Sequence, residues 1–176
     1  MKYLVCSDIH GSLSVVEKLV ENFEKFNCDM IILLGDILYH GPRNPIPESY
    51  NPKKVVEKLN IFADKIMACR GNCDSEVDQM LLNFPIMSDM NLIYDNGIKI
   101  IASHGHIYSP EKLPPMKKGN IFLCGHTHIH EIYENKDGII ICNPGSPTLP
   151  KNNSKSGFVF LECFDNGEYK ISFEEI

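Results

Sequence analysis

The chain has 176 residues, 43% of them hydrophobic, and a formal net charge of −6. That length suits one domain, residues 1–176, with a sizeable core. The acidic balance gives no electrostatic case for a dedicated nucleic-acid-binding protein. No stretch reaches the ~18 consecutive apolar residues of a membrane span. The N-terminus turns polar at Ser7-Asp8, too early for a signal peptide. The seven cysteines (Cys6, Cys28, Cys69, Cys73, Cys124, Cys142 and Cys163) include no Cys-x-x-Cys pair. Several lie inside apolar runs, so reduced thiols in a cytoplasmic protein are expected.

In chain order, residues 2–6 read as a buried strand. Ser14-Val15-Val16-Glu17 has the capping-box pattern, and Val16, Leu19, Val20, Phe23 and Phe26 follow at helical spacing. Residues 30–34 predict a second buried strand. Tyr39 to Asn51 is a long irregular stretch with Pro42, Pro45 and Pro47, the kind of segment that often forms a functional wall. Asn51-Pro52 opens a second helix whose apolar face is Val55, Val56, Leu59 and Phe62. Residues 65–69 predict a third strand. This βαβαβ order implies parallel strands joined by right-handed crossovers. The second half carries hairpin signals at Asp95-Asn96-Gly97, Asn135-Lys136-Asp137-Gly138 and Asp165-Asn166-Gly167. Antiparallel strands are expected near 91–103, 121–124, 131–142 and 157–173. A mixed sheet, or two sheets face to face with helices outside, accommodates both halves.

Five short clusters carry potential metal ligands: Asp8-Ile9-His10-Gly11, Gly35-Asp36, Gly71-Asn72-Cys73-Asp74, His104-Gly105-His106 and Gly125-His126-Thr127-His128. Oxygen and imidazole donors suit a borderline-hard divalent metal. Three clusters follow apolar runs, and ligand loops at strand ends are how a rigid scaffold presents a site. In extended backbone, residues two apart point to one side, so Asp8 with His10, His104 with His106, and His126 with His128 can each converge. The two oxygens of Asp36 allow it to bridge two cations. Asp74 is expected to cap a following helix, and His130 to be exposed.

The order Asp-x-His, Gly-Asp, Gly-Asn-x-Asp, His-Gly-His, Gly-His-x-His resembles the calcineurin-like metallophosphoesterases, from Asp8 to about Pro150. His40-Gly41-Pro42-Arg43-Asn44, the block from Arg70 to Met80, and Asn143-Pro144-Gly145-Ser146 resemble the small YfcE-type phosphodiesterases. The resemblance implies an α/β fold of two mixed β-sheets packed as a sandwich flanked by helices (four-layer αββα). It also implies a dinuclear site at one edge. Asp8, His10, Asp36 and His128 would hold one metal, and Asp36, Asn72, His104 and His126 the other. The subgroup's metal is manganese; the ligands also accept zinc, iron or nickel. The implied reaction is hydrolysis of a small phosphodiester by a metal-bridging hydroxide. Asp36, Asn72, His104 and Cys73 are the candidate catalytic positions, and Arg43, Arg70 and His106 the candidate substrate contacts. No membrane partner is implied, and a homo-oligomer is compatible with the sequence.

Two positions depart from the family together. Cys73 stands where many members have the histidine that protonates the leaving group, and Tyr39 where they have the aspartate that orients it. A preference for acidic leaving groups follows, or a donor such as His40. Competing readings are a phosphomonoesterase of broad specificity and a non-catalytic metal-binding scaffold of the same fold. The filled ligand positions favour an enzyme.

Overall fold

In the computed structural model, which describes residues 1–176, ten strands form two five-stranded sheets. In the first, β1 (Lys2–Cys6), β2 (Met30–Leu33) and β3 (Ile66–Ala68) pair in parallel. Helices α1 (Leu13–Lys25) and α2 (Pro52–Asn60) make the crossovers. Antiparallel β9 (Gly157–Cys163) flanks β1, and β10 (Tyr169–Glu175) completes that edge. The second sheet has the order β4-β5-β6-β8-β7. Its strands are β4 (Met90–Asp95), β5 (Ile98–Ser103), β6 (Ile121–Leu123), β7 (His130–Glu134) and β8 (Ile140–Pro144).

The three hairpin signals join β4 to β5, β7 to β8 and β9 to β10. Asn96 and Gly97, with φ of 49° and 84°, supply the two positive values a tight hairpin turn needs. The expectation that residues 121–124 are antiparallel is corrected, because β6 runs parallel to both β5 and β8. No tight turn precedes β6. The segment 104–120 is long enough to carry the chain back across the sheet, as a parallel connection requires.

Alternation along the strands sorts the core. Leu4, Cys6, Ile31 and Leu33 face Val16, Leu19, Val55 and Leu59 of the helices. Tyr3, Val5, Ile32 and Leu34 face the other way and meet Ile93, Ile100, Ala102, Ile121 and Leu123 between the sheets. On the outer face of the second sheet, Ile101, Phe122 and Ile141 lie under Tyr108, Leu113 and Met116 of the irregular segment 104–120. Helices therefore flank the first sheet, and a loop covers the second. No helix is long and apolar enough to cross a membrane.

The capping box expected at Ser14 does not form. Helix α1 begins at Leu13 after Ser12. Its first-turn amides are satisfied from outside, Leu13 N–H by the Ser49 carbonyl (3.0 Å) and Ser14 N–H by Ser49 Oγ (3.3 Å). At α2 the expected cap holds, with Asn51 Oδ1 accepting from Lys54 N–H at 3.2 Å and Pro52 in the first turn. Val55 and Leu59 are buried, Val56 is half-buried, and Phe62 falls beyond the helix end. Asn51→Ala should lower the unfolding free energy by about 1 kcal/mol at unchanged m-value in urea denaturation.

Candidate metal centre

The sheets bring the carboxyl ends of β1, β2, β3, β5 and β6 to one edge, and each end opens into a ligand loop. The loops continue the strand ladders. Asp8 N–H donates to Gly35 O (3.1 Å), His10 N–H to Asp36 O (2.9 Å) and Gly125 N–H to His104 O (2.7 Å). Other bonds join the two sheets' loops directly, among them His126 N–H to Asp8 Oδ2 at 2.9 Å and Ser146 Oγ–H to Asp8 O at 2.8 Å.

The expected route to convergence, extended backbone with side chains two apart on one side, is not the one used. Asp8 (φ 54°), His10 (49°), Asp36 (54°), His126 (69°) and His128 (63°) are all left-handed. Such residues cost of order 1–3 kcal/mol each and persist where the surroundings over-determine them. Close approach of the loops also demands glycine. A Cβ on Gly71 would collide with the Asp36 carboxylate, and one on Gly125 with Ser7 Oγ.

Asp74 supplies a second lock. It does not cap the next helix, α3 (Glu76–Leu81), because Ser75 does that with a capping box to Asp78. Asp74 is instead 3% exposed and accepts from three backbone amides: Asp36 N–H (2.8 Å), Ile37 N–H (2.9 Å) and Gly71 N–H (2.7 Å). One carboxylate thus ties the loop after β2 to the loop after β3.

Three histidines are anchored the same way. His10 Nδ1 lies 2.8 Å from Tyr39 O, His104 Nδ1 2.7 Å from Leu34 O and His128 Nδ1 2.7 Å from Leu149 O. A carbonyl oxygen only accepts, so each Nδ1 carries the hydrogen and each Nε2 of a neutral ring is a bare lone pair. Those lone pairs face inward. His10 Nε2 and His128 Nε2 are 3.2 Å apart, with no hydrogen available to either in the neutral state. Around them, Asp8 Oδ1 lies 3.3 Å from His128 Nε2 and 3.7 Å from His10 Nε2. Asp36 Oδ2 lies 3.6 Å from His104 Nε2 and 3.8 Å from His10 Nε2. Asn72 Oδ1 is 3.1 Å from His104 Nε2.

The carboxylates follow one pattern, with one oxygen tied and one turned to the nest. Asp8 Oδ2 accepts from Ser7 Oγ–H (2.6 Å) and His126 N–H, while Asp8 Oδ1 is buried without a hydrogen-bond partner. Asp36 Oδ1 accepts from Cys73 N–H (2.8 Å), which leaves Oδ2 for the nest. Burial would raise the Asp8 pKa, but whenever the facing imidazoles are protonated His128 and His104, together with the Ser7 hydroxyl, outweigh it and hold the carboxyl well below its usual range. Burial lowers the pKa of His10, and burial with neighbouring imidazoles lowers that of His126, which favours neutral rings. Buried anionic oxygen and converging lone pairs repel one another unless a cation lies between them. The donor set therefore fits divalent metal ions.

The remaining candidates divide. Asp8, His10 and His128 form one tight group, and Asp8, Asp36 and His104 another. His126 stands slightly apart, its ring centroid 5.1 Å from that of His104, and lines the cleft above. Cys73, with His10 and Asp36, forms a third group. Burial first, then the Asp36 carboxylate, pushes its thiol up to about 12, so it is not a poised nucleophile. Arg43 lines the cleft. Arg70 is half-buried, makes no ion pair and is not among the cleft's lining residues. His106 is exposed beside His104, at 5.2 Å between centroids. His40 lies outside the cleft lining between Tyr39 and Tyr50. His130 is not exposed. It stacks on Phe173 of β10 at 3.9 Å, and its Nδ1 meets the carbonyl of Asn143 on the paired strand β8 at 3.0 Å. Sequence reasoning had no signal for Asp74 as a lock, for Ser7, or for Lys151, which lines the same cleft.

A two-sheet α/β sandwich with a buried carboxylate–imidazole nest at its carboxyl edge defines a metal-binding domain. The family model described as the calcineurin-like phosphoesterase superfamily domain matches residues 1–166, and the chain belongs to that family. Phosphodiesterase YfcE of Escherichia coli strain K12 is 43% identical over 162 residues, spanning 92% of this chain and 88% of that protein. The solved structure of the E. coli phosphoesterase Yfce superposes with a TM-score of 0.90 at 42% identity, covering 92% of this chain and 88% of that one. A solved Vps29 from Entamoeba histolytica shares the fold, with a TM-score of 0.63 at 19% identity, covering 100% of this chain and 99% of that one.

The nest predicts a trade between stability and binding. In Asp8→Asn, the amide can donate to the facing Nε2 lone pairs while its oxygen keeps the Ser7 and His126 bonds. In chelator, this variant should unfold about 1 kcal/mol less readily than the wild type. It should also bind less metal, as elemental analysis would measure.

Proposed function

We propose that the chain is a metal-dependent phosphodiesterase working at a dinuclear site. The observation that carries this reading is the pair of carbonyl-anchored imidazoles whose Nε2 lone pairs face each other at 3.2 Å beside the partnerless Asp8 Oδ1. Asp8, His10, Asp36 and His128 would hold one metal, and Asp36, Asn72, His104 and His126 the other. Asp36, whose Oδ2 lies 3.8 Å from His10 Nε2 and 3.6 Å from His104 Nε2, would serve both sets. The metals would be manganese, with zinc, iron or nickel able to substitute. When bound, they would supply a nucleophile from water near neutral pH and neutralise charge on the phosphoryl oxygens. The kinship with E. coli YfcE, named a phosphodiesterase, supports a diester substrate.

The chain's own residues do the rest. The fixed tautomers of His10, His104 and His128 present lone pairs without rearrangement, so the site is preorganised. Asn72 adds a neutral oxygen, which keeps the net charge of the ligand set low. The cleft above, about 630 Å³, admits a small diester. No imidazole in it is free of a ligand position, and the half-buried Cys73 thiol occupies the place of a proton donor. A leaving group must therefore depart largely unprotonated by the protein.

Three outcomes test this. Chelation should abolish diester hydrolysis and added manganese restore it; activity that survives complete metal removal would overturn the reading. Across aryl diesters, log kcat/KM should fall steeply as the leaving-group pKa rises. Cys73→Ala should keep the bulk of the activity, since the thiol is neither nucleophile nor required acid. A flat leaving-group dependence would show that a proton donor exists.

A further inference from the structure

Two cations share the cleft with the metal nest, and a diester does not account for them. Arg43 and Lys151 both line it, and Asp36 is its only lining carboxylate, although the chain as a whole is acidic. Neither side chain forms an ion pair or hydrogen bond within the protein, and both are exposed and free to take a ligand.

Their backbones are not free. Arg43 sits in a turn closed by Asn44 N–H to Gly41 O (3.3 Å) and by Asn44 Nδ2–H to His40 O (2.9 Å), between Pro42 and Pro45. This turn begins next to Tyr39, whose carbonyl anchors His10. On the other side, Lys151 N–H donates to the carbonyl of His128 (3.1 Å), and Leu149, two residues earlier, anchors the ring of that histidine. Each cation is thus tied through the main chain to a different ligand of the nest.

The charge count then decides what they serve. Two divalent cations on the carboxylates of Asp8 and Asp36 leave two positive charges. The single charge of a diester and that of a water-derived nucleophile consume both. Arg43 and Lys151 add two more. Resting on the phosphodiesterase reading above, we infer that the substrate carries a second anionic group outside the scissile diester, and that Arg43 and Lys151 hold it. The class is an anionic diester, with a carboxylate or further phosphate on one arm. A guanidinium in a stiff turn suits a planar or tetrahedral oxyanion, and the compact ammonium on its flexible stem follows it.

The test uses two p-nitrophenyl diesters of equal size, one ending in a carboxylate and the other in a carboxamide, with manganese-loaded protein at low ionic strength. The wild type should prefer the carboxylate, chiefly through KM, and the preference should shrink with salt. Arg43→Gln and Lys151→Gln should each cut the ratio of the two kcat/KM values by about three- to tenfold. The double variant should bring it close to one. A wild type indifferent to the arm's charge would overturn the inference. So would a double variant that loses equally on both diesters, since the cations would then serve the scissile phosphoryl group. Calorimetry with the matching pair of non-hydrolysable phosphonates separates this from the activity. Turnover of both diesters without discrimination between the phosphonates would refute the clamp alone. Discrimination without turnover of either diester would refute the diesterase reading and keep the anion site.

Discussion

The carbonyl oxygens of Leu34, Tyr39 and Leu149 determine what this edge of the sandwich can hold. Each fixes the hydrogen of one imidazole on Nδ1 and so turns a bare Nε2 toward the same small volume. Were any of the three rings free to flip, Nε2–H could donate to Asp8 or Asp36 and the nest would relax into an ordinary buried polar network. The anchors forbid that. Their cost appears as the partnerless Asp8 Oδ1, as an Nε2 pair at 3.2 Å, and as five left-handed residues among the ligands. A fold selected only for stability would not keep these features together. A cation between the donors removes the first two penalties, and the lattice of loop hydrogen bonds carries the third.

That lattice explains the two-sheet architecture. One sheet alone supplies Asp8, His10, Asp36 and Asn72, and the other His104, His126 and His128. The core between Val5, Ile32 and Leu34 on one side and Ile100, Ala102 and Leu123 on the other sets their spacing. The bond from His126 N–H to Asp8 Oδ2 then couples sheet packing directly to ligand position. Asp74 performs the same coupling within the first sheet, through three amides from two loops.

Much of this was legible in the sequence because the relevant signals are local. Apolar runs marked β1, β2 and β3, Asn51-Pro52 marked α2, and three Asx-Gly turns marked three hairpins. The ligand clusters could be read in order because each short motif ends or follows a strand. What escaped depends on contacts between distant residues. The amides of α1 are satisfied by Ser49, from a different loop, so the local Ser14–Glu17 pattern misleads. Strand direction in β6 depends on a crossover that carries no turn signature. His130 is sheltered by Phe173, far along the chain. The left-handed backbone of the ligands replaces the extended geometry that their spacing suggests, because loops laced to one another turn more sharply than free strands continue. Lys151 sits among polar residues without any motif, and only the fold brings it over the nest.

The same distinction between local motif and assembled edge bears on Cys73. Read along the chain, it replaces an imidazole in a family pattern, and Tyr39 replaces that imidazole's usual partner. In the assembled site the two positions have other work. The Tyr39 carbonyl anchors His10, and Cys73 N–H ties down Asp36 Oδ1, so both main chains position ligands whatever their side chains are. On the proposed reading, the side chains at positions 39 and 73 can lack a proton-transfer pair without loosening the carboxylate–imidazole nest. A site with a preorganised ligand set and no imidazole acid is a consistent design for substrates whose leaving group is already stable as an anion. On this argument, restoring an imidazole at position 73 alone would supply a donor without its orienting carboxylate, and the cleft would need Tyr39 changed as well to regain the family's usual pair.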